Sequence, residues 1–210
     1  MNAPAPAKAR PTLMQRRRQG AIDDIVEAAI ELFARDGFDA TTVEAITDFA
    51  GCSRRTFYRY FESKEDVMFQ DVPATFERLR DILDGHLVEG LGLWAAVSES
   101  MVDMIGRFGD DSRVQVRRME MWQREPALNA RYMQYIQTGE RTVLECLCRH
   151  RGTRVGADDL AQTIAISAIG AYRATIVTHS LRAGNHKLTK HLRELLKILE
   201  EGLGDASRPR

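Results

Sequence analysis

Apolar residues recur at helical spacing along nearly the whole chain, and no stretch alternates as a half-buried strand would. Between about Gln19 and Arg35, the residues Ile22, Ile25, Val26, Ala29, Ile30, Leu32 and Phe33 mark one buried face. Asp23 and Asp24 suit the first turn of that helix, Arg35 its last turn, and Gly37 its stop. Thr41 with Glu44 has the form of a capping box, and Val43, Ala45, Ile46, Phe49 and Ala50 give the short helix behind it one apolar side. Gly51 lets the chain turn, and Ser53 is a good N-cap for a helix in which Phe57 and Phe61 share a face. Ser63 with Asp66 forms a second capping box. The helix it opens is predicted to run toward Gly85, kinked or interrupted at Pro73. Further helices are predicted over about 92–108, 112–124, 126–150, 157–182 and 186–203, with Pro126 placed for a first turn. The fold class is all-α.

The polar side of the helix after Ser53 is the informative one. Arg54 and Arg55 occupy its first turn, Thr56 follows, then Tyr58, Arg59 and Tyr60, with Lys64 behind Ser63. Arg bonds bidentately to a guanine edge, Thr touches a thymine methyl, and Tyr and Lys reach phosphate oxygens, so this set matches a DNA major groove. Arg54, Arg55 and Thr56 are the candidate base contacts. Ser53, Tyr58, Tyr60 and Lys64 are the candidate phosphate contacts, joined by Thr42 and Arg59. A solvated basic face is the competing reading, and the helix-turn-helix spacing weighs against it.

The stretch T-T-V-E-A-I-T-D-F-A-G-C-S-R-R-T-F-Y-R-Y-F-E-S-K-E-D resembles the DNA-binding region of the tetracycline-repressor (TetR) family of bacterial transcription regulators. The motif match covers about Arg16 to Phe69, and the helical remainder is compatible in length. Cys52 and Thr47 depart from the usual Val or Ile and Ala, and both are small enough to leave the fold unaffected. The resemblance implies a homodimeric repressor, paired through its last two helices, that releases a palindromic operator when a small molecule binds the C-terminal domain. It divides the chain into a disordered N-terminal arm (1–15), a three-helix helix-turn-helix DNA-binding domain (16–64) and a larger helical ligand-binding and dimerisation domain (65–205).

Charge changes the picture only through its placement. Lys plus Arg and Asp plus Glu both number 30, so the net charge is zero. Residues 8–18 nevertheless carry +5 and residues 51–64 carry +3, with acids between the two patches. The basic Arg16, Arg17 and Arg18 have two readings, an arm entering a minor groove or a solvating tail. With 44% hydrophobic residues the chain can bury a core, and no apolar run approaches the ~20 residues of a membrane span. The first residues lack the apolar core of a signal peptide, so a cytoplasmic protein is expected.

Metal and redox chemistry find little support. Cys146 and Cys148 would point about 200° apart on a helix, no His/Cys/Asp cluster has zinc spacing, and no cofactor is expected. Cys52 reads as a small hydrophobe more readily than as a redox sensor. The histidines are scattered without a nucleophile or metal pattern, which weighs against an enzyme.

Residues 94–135 are rich in bulky, adaptable groups. Trp94, Met101, Met104, Phe108, Met121, Trp122, Tyr132 and Tyr135, interspersed with Arg117 and Arg118, are candidates to line a pocket for a mostly apolar molecule with an acidic end. His179 is a core or pocket histidine. An ordinary helical core is the competing reading for each of these. Ala161, Ala165, Ala168, Gly170, Ala171 and Ala174, with Leu188, Leu192, Leu195, Leu196 and Leu199, suit close helix packing across a dimer or within one chain. An architectural DNA-binding protein whose C-terminal domain only dimerises or contacts other proteins remains the alternative function.

Overall fold

The structure is a computed structural model that describes residues 12–106, 113–181 and 187–203. Every element among the described residues is a helix, and the chain divides into two compact units, one ending at Met68 and the other beginning at Phe69.

The first unit is built on α1 (Leu13–Asp36), which buries Ile25, Ala28, Ala29, Leu32 and Phe33. Phe38 folds back so that its ring lies 4.9 Å from that of Phe33. α1 starts before Gln19, so Arg16, Arg17 and Arg18 are helical residues and not an extended arm. Gln and Arg are good helix formers, and no proline lies between Pro11 and Gly37 to stop them.

The cap of α2 (Val43–Phe49) also differs from expectation. Thr42, not Thr41, accepts from the Ala45 amide at 3.1 Å. Thr41 is buried and donates its hydroxyl to the Gly37 carbonyl at 2.8 Å, closing the turn after α1. The chain then turns at Gly51, whose φ of +64° suits a residue without a Cβ. α3 (Arg54–Tyr58) is capped by Ser53, and α4 (Lys64–Val67) by the reciprocal Ser63–Asp66 box. Phe57 and Phe61, 0% and 5% exposed, anchor α3 from beneath.

α4 stops after four residues, and α5 (Val72–Val88) begins anew with Pro73 in its first turn. The proline therefore opens a helix where a kink inside one was expected, which suits a residue with no amide hydrogen to donate. α5 also continues past Gly85. In the second unit α5 packs on α6 (Leu93–Gly106) and α8 (Pro126–Arg151), while α9 (Asp159–Leu181) touches α6, α7 (Arg113–Arg124), α8 and α10 (Leu188–Leu203).

Residues Asp159–Thr178 of α9 have a mean hydropathy of 1.3, so one described helix is long and apolar enough to cross a membrane by composition, contrary to expectation. Its position among four neighbouring helices accounts for much of that character. Ala161, Ala165, Ala168 and Ala171 face this intramolecular packing, each 5% exposed or less, whereas Gly170 and Ala174 look outward beside Ile166 (50% exposed) and Val177 (40%). α10 divides in the same way. Leu188, Leu192 and Leu196 are buried, Leu195 and Leu199 are half-buried, and Ile198 is exposed.

Candidate nucleic-acid interface and effector cavity

On the first unit, capping geometry decides which side chains remain available. The Ser53 hydroxyl accepts from the Thr56 amide at 3.1 Å and shares a hydrogen with the Thr56 hydroxyl at 3.0 Å, so both are tied into the start of α3. Arg55, Tyr58 and Arg59 are exposed, and Thr56 and Tyr60 half-exposed. Arg54 is held 2.7 Å from Glu44 of α2 and lies 6.0 Å from the Tyr58 ring. With 60% of the Arg54 side chain exposed, that pair is worth little in water and yields readily to a phosphate or base.

The start of α1 meets the turn after α3. Met14, Arg17, Arg18, Ala21, Arg59 and Tyr60 line one concave surface. The Arg18 and Arg59 guanidinium groups sit 5.9 and 4.6 Å from the Tyr60 ring centre, and Arg59 donates to the Tyr60 hydroxyl at 2.6 Å. Two basic stretches far apart in sequence thus share a face, as phosphate contact along a duplex requires. Arg16 is exposed on α1 but is not part of this concavity.

Lys64 does not stand free as a phosphate contact. Its ammonium donates to the carbonyls of Phe38 at 2.6 Å and Thr41 at 2.9 Å and lies 4.4 Å from the Phe38 ring. It straps the loop between α1 and α2 to the start of α4. Cys52 is half-buried, and burial followed by the nearby Asp24 pushes its thiol up, away from the reactive thiolate.

The second unit holds a small cavity of about 60 Å³. Met101, Met104, Trp122, Tyr132 and Tyr135 line it, as expected. Trp94, 1% exposed, belongs to the solid core instead, and Met121 is half-exposed away from the cavity. Phe108 and the side chains of Arg117 and His179 lie outside the described residues.

Sequence reasoning missed Phe69, Asp71, Phe76, Gly139 and Tyr172 of the wall. Gly139 lets the Phe76 ring approach the α8 backbone, because a Cβ there would meet Phe76 Cε1 at 2.9 Å. A mid-helix glycine was the available signal. The wall's cation is Arg118, 3% exposed, which donates from Nη1 to Asp71 Oδ2 at 2.9 Å. Burial pushes the Tyr172 phenol up to about 12, with the charge of Arg118 pulling the other way. Among the described residues no group of His, Cys, Asp and Glu has metal-holding geometry.

Residues 25–70 match the model of the bacterial regulatory proteins of the tetR family, and residues 91–204 match that of the MftR C-terminal domain. The chain belongs to the TetR family of bacterial transcriptional regulators. It is 29% identical over 189 residues to a Mycobacterium tuberculosis protein named as the mycofactocin biosynthesis transcriptional regulator MftR, covering 90% of this chain and 93% of that one. Two solved structures share the fold. Thermus thermophilus FadR in complex with lauroyl-CoA has a TM-score of 0.57 at 20% identity, covering 87% of this chain and 94% of that one. The SmeT–triclosan complex has a TM-score of 0.63 at 18% identity, covering 88% and 91%; SmeT is the repressor of a Stenotrophomonas maltophilia efflux pump. The relatives are regulators and not enzymes.

Proposed function

We propose that this regulator is a cytoplasmic homodimeric repressor that leaves a palindromic operator when a small, mostly apolar effector enters the second unit. The observation that carries the DNA-binding reading is the shared basic face. Arg17 and Arg18 of α1 and Arg59 after α3 gather around Tyr60, beside a capped α3 whose Arg54 and Arg55 project from its first turn. In this reading Arg54, Arg55 and Thr56 meet base edges, while Thr42, Ser53, Tyr58, Tyr60 and the α1 arginines hold the backbone. The outward stripe Ile166, Gly170, Ala174, Val177 on α9, with Ile198 on α10, supports pairing of two copies through the last two helices. The effector reading draws on the aromatic- and Met-lined cavity and on the lauroyl-CoA and triclosan of the structural neighbours.

The alternative, an architectural DNA-binding protein without an effector, draws on the narrowness of the cavity, which as it stands admits only a few waters. Selection of bound sequences from a random duplex pool separates the two. A palindromic winner with half-sites about one helical turn apart supports the regulator. Enrichment of nothing beyond general duplex refutes it.

A further inference from the structure

Two residues of the cavity wall carry buried polar atoms that the protein leaves without partners. Trp122 Nε1 and the Tyr132 hydroxyl are buried and have no hydrogen-bond partner, and both residues are 6% exposed. Such orphans are uncommon in folded chains because each retains the cost of losing water. Trp122 is stacked between Phe69 and Tyr132, with ring centres 5.0 and 5.4 Å away and planes 18° apart in both cases. Turning either ring toward solvent would break that stack.

The charged groups of the same wall are matched already. Arg118 is paired with Asp71, so a ligand carboxylate would have to displace Asp71 or lie buried beside it. Both arrangements cost far more than admitting a neutral oxygen.

We propose that the cavity takes an uncharged apolar molecule bearing an acceptor oxygen, such as a ketone, quinone or amide, with Trp122 Nε1 and the Tyr132 hydroxyl as the donors that read it. This rests on the second unit being an effector-binding domain, and it replaces the acidic end expected from Arg117 and Arg118. Burial pushes the Tyr132 phenol up, so it remains a protonated donor at neutral pH. The aromatic walls favour a flat ligand body, and the unbranched side chains of Met101 and Met104 let the narrow cavity widen around it.

The test uses the full-length protein, calorimetric titration and a matched trio: 2-acetylnaphthalene, 2-ethylnaphthalene and 2-naphthoate. The neutral ketone should bind roughly tenfold or more tighter than the hydrocarbon or the anion. Trp122→Phe and Tyr132→Phe, which keep an aromatic ring and remove a donor, should each erase most of the ketone's advantage over the hydrocarbon, read as the ratio of the two affinities within each variant. Tightest binding by the naphthoate, a ketone preference that survives in both variants, or no binding of any of the three overturns the proposal. Because the wild-type ranking is itself a test, a variant that fails to fold does not rescue the idea. Operator selection is scored separately. A protein that selects an operator but ranks the trio otherwise sinks this inference alone, whereas one that selects no operator sinks the regulator reading.

Discussion

The Arg118–Asp71 pair makes an asymmetric prediction. The Arg118 side chain is 4% exposed and that of Asp71 is 31% exposed. Asp71→Ala removes one carboxylate from a buried guanidinium, and breaking a fully buried pair costs about 3–5 kcal/mol. Partial access of water on the Asp71 side lowers the expected cost to about 2–4 kcal/mol. Arg118→Met fills the vacated volume with an unbranched apolar chain, and the exposed part of Asp71 regains water, so about 0–2 kcal/mol is expected. Urea denaturation at neutral pH, read by Trp fluorescence, measures both, and the double variant closes the cycle. Asp71→Ala should be the more damaging substitution, and the double variant should lie closer to Arg118→Met than to the sum of the two. Equal costs, or additivity within about 0.5 kcal/mol, would show that the pair does not act as a buried unit.

Lys64→Met should lower the stability of the first unit by about 1–3 kcal/mol through loss of its carbonyl bonds, while the salt dependence of DNA binding per folded molecule stays unchanged. A drop of about one in the salt slope would instead place Lys64 on a phosphate. Arg54→Ala and Arg55→Ala should each cost about 1–3 kcal/mol on the selected operator and little on unrelated duplex, measured by anisotropy. Ile166→Glu with Val177→Glu should convert a sedimenting dimer to a monomer, and an unchanged sedimentation coefficient would remove α9 from the interface.

Asp158 accepts from Arg151 at 2.7 Å, Thr153 at 2.8 Å and the Ala161 amide at 3.0 Å. Burial works to raise its pKa, but these bonds prevail and hold it at about 2. Its stabilising effect is complete above the unfolded pKa near 4 and disappears as pH falls through about 2. Asp158→Asn should therefore cost about 2 kcal/mol at pH 7 and almost nothing at pH 2, by denaturation at each pH.

Local chemistry was legible in the sequence wherever one residue determines it. Ser53, the Ser63–Asp66 box and Pro126 each mark a helix start that the structure contains. Thr41 and Thr42 are chemically alike, and only the buried hydroxyl bond to Gly37 decides which of them caps α2. Lys64 looked like a phosphate ligand because its acceptors lie as far as 26 residues away, beyond the reach of a local pattern. The cavity posed the same difficulty more strongly, because core and pocket residues are both apolar. Trp94 and Trp122 differ in which face of the packed helices they meet, and Asp71 reaches Arg118 across 47 residues. The alanines of α9 read as an interface because small residues permit close approach, whether the partner helix belongs to the same chain or to another.

Sequence-specific DNA binding by the first unit is the central claim, and it is tested most directly by titrating the selected operator and a base-scrambled duplex of equal length across several salt concentrations. The operator should bind about 10³-fold or more tighter than the scrambled duplex at physiological salt, with both affinities falling linearly in log–log form as salt rises. Equal affinity for the two duplexes at every salt concentration would contradict it.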